Sequence, residues 1–100
     1  MTTGFHVEVM TPERRLYNAE AVSVILPGAL GSFGVLRGHI PLISLLGPGR
    51  IKITPAHDLS PLFIAISGGF VEVGRENVWI LADGVEEADA IDVDSPRTAA

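Results

Sequence analysis

The chain is 100 residues long with a mass of 10.6 kDa, which is the size of one domain. Hydrophobic residues make up 47% of the chain and charged residues 19%, a composition that excludes an intrinsically disordered polymer. The eleven glycines and seven prolines favour short strands and turns over long helices. The composition therefore predicts an all-β domain.

Charge is distributed unevenly along the chain. The formal net charge is −5, of which residues 1–83 carry −1 and residues 84–100 carry −4. We therefore predict two regions, a β domain over residues 1–83 and an acidic tail over residues 84–100 that is frayed or weakly helical. Nucleic acid is excluded as the main partner, because phosphate binding requires clustered cations.

Two further features restrict the class of protein. The absence of cysteine excludes a disulfide framework, a zinc–thiolate site and a thiol nucleophile. The N-terminal residues MTTGFHVEV lack the basic and apolar regions of a secretory signal, and no stretch has the roughly 20 apolar residues that cross a bilayer. We expect a soluble protein that reaches a membrane only through a partner.

Apolar and polar residues alternate in the first half of the chain, and this predicts short strands. These strands are Phe5–Met10, Arg14–Tyr17, Ala21–Leu26, Ser32–Leu36 and Leu42–Leu46. Residues Asn18–Glu20 are predicted to form a turn, and the glycines of Gly28–Gly38 to form tight turns around the fourth strand. The apolar run Leu42–Leu46 is predicted to be a fully buried strand.

The second half of the chain continues the pattern. Its predicted strands are Arg50–Thr54, Leu62–Ser67, Phe70–Val73 and Val78–Ala82. The pair Gly68–Gly69 is predicted to break an extended segment as a bulge or a close backbone approach. About nine short strands with turns every eight to twelve residues are typical of a β-sandwich or barrel.

Residues that could carry chemistry are few. The histidines His6, His39 and His57 lie in separate predicted elements, without the spacing of metal ligands. The glycine-rich segment Gly28–Gly34 is not followed by the helix that a phosphate loop requires. The sequence predicts no catalytic residue, no metal site and no cofactor, although a small metal-dependent barrel enzyme using the histidines stays open as an alternative.

Two longer motifs resemble one protein family. The segment PGALGSFGVLRGHIPLISLLGPGRIKI (Pro27–Ile53) and the segment ISGGFVEVGRENVWILAD (Ile66–Asp83) are similar, in order and separation, to stretches of the epsilon subunit of the rotary F-type ATP synthase. The opening FHVEVMTPERRLYNAEAVSVILPG is similar to the first strands of that subunit. The resemblance covers Phe5–Asp83, most of the chain.

The resemblance implies a fold and a function. The fold is a flattened all-β sandwich of about ten short strands, here followed by the short acidic tail. The function is that of a non-catalytic rotor subunit in the central stalk of the proton-driven ATP synthase, which links the gamma subunit to the c-ring for rotational coupling. Such a subunit is peripheral, on the cytoplasmic face of an energy-transducing membrane, and contacts that membrane only through the c-ring.

The resemblance also implies contact residues. The c-ring contact is predicted at Gly31, Ser32, Arg37 and His39. The gamma-subunit contact is predicted at Thr11, Leu42, Ile43 and Ser44. The family often has an acid where Ser32 stands, so a charge contact is not expected at that position.

The C-terminal residues depart from the family pattern. Residues Ile91–Asp94 begin the family's nucleotide motif, but Ser95-Pro96 stands where Arg-Ala is expected. We therefore expect neither ATP binding nor inhibition by a C-terminal helical hairpin. The alternative function is a free-standing β-sandwich module that binds a ligand or a peptide, because a fold alone does not determine function.

Overall fold

Seven β-strands make up the fold in the computed structural model, which describes residues 4–36, 41–57 and 60–88. The strands are β1 (Phe5–Met10), β2 (Arg15–Gly28), β3 (Gly31–Leu36), β4 (Leu42–Leu46), β5 (Gly49–Pro55), β6 (Leu62–Val73) and β7 (Asn77–Ala88). Every described element is a strand, which confirms the predicted all-β class.

The strands pair into two layers. Layer A contains β3, the C-terminal half of β2, β5, the N-terminal half of β6 and the end of β7. Layer B contains the N-terminal half of β2, β1, the start of β7, the C-terminal half of β6 and β4. All neighbouring strands are antiparallel except β1 and β7, which are parallel. The long strands β2, β6 and β7 pass from one layer to the other, as strands at the corners of packed sheets do.

The two layers enclose the core. Because β1, β2, β5, β6 and β7 pair in a closed circuit, the structure is a flattened barrel whose shortest dimension is 20 Å. Nineteen apolar side chains are buried inside it, and no charged or other polar residue is buried among the described residues. Alternate residues of β1 (Phe5, Val7 and Val9) and of β5 (Ile51 and Ile53) supply part of this core. The predicted strands with one wet face are thus confirmed at both places.

The count of seven strands differs from the predicted nine or ten because the long strands are continuous. Residues Asn18–Glu20 lie within β2, so the predicted turn there is wrong. Gly68 and Gly69 lie within β6, where the pairing with β7 shifts register without ending the strand. Counting each of the three layer-crossing strands twice gives ten strand segments.

A glycine at the crossing of β6 is required by close approach. Gly69 has a φ of +149°, in the region that L-residues avoid, and a Cβ at this position would collide with the carbonyl oxygen of Leu81 on β7. The bulge therefore brings two backbones closer than any side chain allows.

Two other predictions are corrected by the structure. Strand β4 is not fully buried, since Ile43 and Leu45 are 72% and 69% exposed. Strand β7 continues to Ala88, past the predicted end at Ala82 and past the predicted domain boundary after Asp83. Residues 84–88 are therefore strand and not frayed or weakly helical, and the rest of the predicted tail lies outside the described residues.

Candidate functional site

A hairpin protrudes where β2 turns into β3. Gly28 pairs with Gly31, and Ala29 and Leu30 form the two-residue connection. Gly31, the first residue of β3, has a φ of +142°, a conformation that glycine adopts without the steric cost that a side chain would add. The side chain of Leu30 is entirely exposed at the tip. The tip therefore presents one apolar side chain on a short, tightly turned backbone.

Backbone hydrogen bonds join the turn end of this hairpin to β4 and to the residue that follows it. The Ala29 N–H donates to the Leu45 carbonyl oxygen at 3.1 Å, and the Gly47 N–H donates to the Pro27 carbonyl oxygen at 2.8 Å. Gly28 also pairs with Leu46. The turn of this layer A hairpin is thus hydrogen-bonded to β4, which belongs to layer B.

The structure describes half of the predicted c-ring contact. Gly31 and Ser32 are adjacent and exposed at the start of β3. Arg37 and His39 lie outside the described residues. Sequence reasoning missed Leu30, although its position between the turn glycines could have identified it as the hairpin tip.

An apolar row crosses the outer face of layer B. Strand register places Leu45 beside Phe70, Phe70 beside Leu81, and Leu81 beside Met10. Phe70 and Leu81 are 40% and 38% exposed, and Leu45 is more exposed than either. We call Met10, Ile43, Leu45, Phe70 and Leu81 the apolar face.

Charged groups lie along one side of the apolar face. Glu72, Trp79 and Glu8 occupy the next row, which begins at Ile43. The Glu8 carboxylate accepts from the Arg15 guanidinium, with 2.9 Å between Oε2 and Nε. A shallow groove of ≈ 410 Å³ lies at one end of this face, between Pro41–Ile43 and Glu72–Val73. An apolar centre with a polar border is the usual composition of a protein–protein contact.

The predicted gamma-contact residues have different environments. Ile43 lies on the apolar face, whereas Leu42 packs against the core and the Ser44 hydroxyl donates to the Leu45 carbonyl oxygen. Thr11 follows Met10 at the border of the face, and its hydroxyl oxygen accepts from the N–H groups of Glu13 and Arg14. Leu45, Phe70, Leu81 and Met10 were missed, because their common face is assembled only by strand pairing.

Ionisable groups do not converge in the described part of the chain. There, no cluster of three or more His, Asp or Glu side chains is arranged to hold a metal ion. His6 Nδ1 lies 3.9 Å from the Glu20 carboxylate, and His57 is exposed. Burial, and secondarily the charge of Glu20, raises the pKa of the Tyr17 hydroxyl to about 12, and this hydroxyl donates to the Glu20 carbonyl oxygen. The described ionisable groups thus lie apart from one another, and the Tyr17 hydroxyl is bonded within its own strand.

The geometry defines a class of protein, namely a closed β-sandwich whose exposed features are an apolar face and a protruding hairpin. Within the described residues there is no helix that is long and apolar enough to cross a membrane. The chain matches, over residues 4–88, the family described as ATP synthase, Delta/Epsilon chain, beta-sandwich domain. The chain belongs to this family, as its motifs predicted.

Curated relatives and solved structures agree with this assignment. The chain is 43% identical over 91 residues to the ATP synthase epsilon chain of Myxococcus xanthus, covering 91% of this chain and 65% of that relative. It is 44% identical over 96 residues to the epsilon chain of Moorella thermoacetica, covering 96% and 71%. The chain thus spans about two thirds of the length of these relatives.

The fold is shared with a more distant solved structure. A chain of the mitochondrial ATP synthase of Euglena gracilis, solved with OSCP, F1 and the c-ring, has a TM-score of 0.79 and 20% identity. The match covers 99% of this chain and 62% of that chain. At this identity the likeness concerns the fold alone.

Proposed function

We propose that the chain is an epsilon-type subunit in the central stalk of a proton-driven F-type ATP synthase, where it links the gamma subunit to the c-ring. The observation that carries the proposal is the apolar face, on a domain that belongs to the delta/epsilon family. The function is rotational coupling by binding, without chemistry of its own. The subunit is peripheral, on the cytoplasmic side of an energy-transducing membrane.

The gamma subunit is the proposed partner of the apolar face. Ile43 and Leu45 are both more than two thirds exposed on a flat sheet surface, and Phe70 and Leu81 continue the same surface across two more strands. A contiguous apolar surface with a polar border is characteristic of a site that a partner covers. Thr11, Leu42 and Ser44 complete the proposed contact at the border and beneath the face.

The c-ring is the proposed partner of the hairpin. Gly31 and Ser32 directly follow the turn, and Leu30 extends from its tip into solvent. We assign Arg37 and His39 to the same contact as polar donors for the ring loops. Because the hairpin is hydrogen-bonded to β4, a force on its tip is transmitted to the strand that carries Ile43 and Leu45. The two proposed attachments are therefore mechanically connected.

Calorimetric titration of the full chain into purified gamma subunit at physiological salt tests the first attachment. Saturable one-to-one binding is expected, with a negative heat-capacity change because apolar surface is buried. Absence of binding to a gamma subunit shown to be folded would reject the rotor function. The free-standing binding module would then be the better account.

The second attachment is tested by the double variant Arg37→Ala with His39→Ala. We expect weaker retention of the chain on isolated c-rings and an unchanged unfolding transition, because the sequence predicts both residues to be polar members of a glycine-rich loop. Binding to gamma, measured in parallel, serves as the control and should be unaffected. Unchanged retention on the ring would remove this loop from the contact.

A further inference from the structure

The outer face of layer A carries a second surface that the proposed contacts do not use. Arg50 and Lys52 project outward from β5, and Phe63 on β6 is paired in register with Lys52. The Arg50 guanidinium carbon lies 4.6 Å from the centre of the Phe63 ring. Ile25, paired with Lys52 on the other side, is 40% exposed. We call Ile25, Arg50, Lys52 and Phe63 the basic face.

No ion pair joins either cation of this face to a carboxylate among the side chains that the structure describes, which end at residue 85. The described ion pairs join His6 to Glu20 and Glu8 to Arg15, none of which lies on the basic face. Arg50 and Lys52 thus place two cations side by side on a chain whose net charge is −5, and Glu87, which pairs with Ala65 beside Arg50, is an acidic position in the same row of the sheet. The cation–π contact holds Arg50 against the ring and leaves Lys52 as the more mobile charge.

The basic face and the apolar face belong to opposite layers of the sandwich. They consequently point in opposite directions, so a partner seated on the apolar face leaves the basic face open. The two surfaces also differ in charge, since Glu8 and Glu72 border the apolar face. The basic face thus suits a different contact, with a partner of opposite sign.

We propose that the basic face docks an acidic polypeptide segment of another protein, one that carries at least two carboxylates next to apolar side chains. The carboxylates would pair with Arg50 and Lys52, and the apolar side chains would contact Ile25 and Phe63. Complementary charge sets the register of such a contact and speeds its formation. A nucleic acid fits less well, because two cations on an acidic protein do not form the clustered basic surface that phosphate backbones require.

Lys52 provides a direct test, because it is the sole lysine of the chain. A zero-length carbodiimide reagent joins an amine only to a carboxylate in contact with it. Cells that produce the full chain would be fractionated into membranes and soluble protein, treated with the reagent, and analysed by mass spectrometry. The expected product links Lys52 to an Asp or Glu of another protein, within a segment that contains a second acid and apolar residues.

Three variants test whether the cross-link forms at Lys52 and whether its yield depends on the charge of the basic face. Lys52→Arg keeps the charge but removes the reactive amine, and should abolish the product. Arg50→Glu keeps Lys52 and should lower the yield about fivefold, because repulsion replaces attraction at the neighbouring position. Arg75→Glu, an equivalent change at an exposed loop position, should leave the yield unchanged.

Several results would overturn the proposal. One is a Lys52 product formed only with carboxylates of this same chain, which would make its own acidic residues the occupant. Another is the absence of any Lys52 product in both fractions. A yield equal in Arg50→Glu and Arg75→Glu would likewise show that the basic face does not select its partner by charge.

Discussion

At the scale of single residues, the sequence shows which functional groups are present, but it does not show how deeply each is buried or what it contacts. Tyr17 is an ordinary strand residue in the sequence, yet it is fully buried and its hydroxyl donates to the Glu20 carbonyl oxygen. Gly69 could be recognised as a bulge residue from the Gly-Gly pair, whereas its contact with the Leu81 carbonyl could not. That contact depends on a strand more than ten positions away, so no local pattern encodes it.

The raised pKa of Tyr17 predicts a loss of stability in alkaline solution. Because the folded state holds the phenolic proton more tightly than the unfolded chain does, this stability is complete below about pH 10 and is lost as the pH rises to about 12. The expected slope is about 1.4 kcal/mol per pH unit at most. Urea unfolding at a series of pH values measures it.

The control for this prediction is Tyr17→Phe, which lacks the titrating group. This variant should lose the additional slope over the same pH range, at a constant cost of about 1 kcal/mol for the missing hydrogen bond. Since Tyr17 is the sole tyrosine, the ultraviolet absorbance of tyrosinate reports its titration directly. An absorbance midpoint near pH 10 in the folded protein would contradict the account.

At the scale of elements, alternation predicted strands correctly wherever a strand stays in one layer. Within β2 the buried positions change from Tyr17 and Ala21 to Val24 and Leu26, across a register shift between Ala21 and Ser23. A bulge inserts one residue, which moves the inward positions from odd to even numbers. In β6 the inward positions change in the reverse direction, from Ile64 and Ile66 to Val71 and Val73, across the register shifts with β7. A period of two that changes phase resembles two short strands in the sequence, and this is why the long strands were predicted in pieces.

The bulge in β6 predicts that two glycine substitutions differ in their effect on stability. Gly69→Ala should destabilise the fold by at least about 2 kcal/mol, because alanine adds backbone strain and a collision with the β7 backbone. Gly34→Ala is the matched control, since an added Cβ there meets its nearest neighbours at 3.9 Å and 4.0 Å, which is ordinary contact.

Chemical denaturation of the two variants measures this difference. We expect Gly34→Ala to remain within about 0.5 kcal/mol of the parent protein. If both variants unfolded at the same denaturant concentration, the close approach of β6 and β7 at Gly69 would not contribute to stability.

At the scale of the whole molecule, the sequence motifs identified the family and the sandwich, whereas the apolar face emerged only from strand pairing. Its members come from β1, β4, β6 and β7, and each looks like a core residue in its own segment. The run Leu42–Leu46 was predicted to be buried because an apolar strand at an outer position and one in a core have the same composition. In our proposal this strand is exposed because the gamma subunit covers it in the complex, and the sequence of this chain alone does not contain that partner.

The central claim is that the apolar face binds the gamma subunit, and a comparison of two variants tests it most directly. Leu45 and Leu36 are 69% and 63% exposed, but Leu45 lies on the apolar face and Leu36 on layer A. In calorimetric titrations against gamma, Leu45→Asp should weaken binding by about thirtyfold or more, because a carboxylate would be buried within the contact. Leu36→Asp should bind like the parent protein. Equal affinities for the two variants would contradict the assignment of this face.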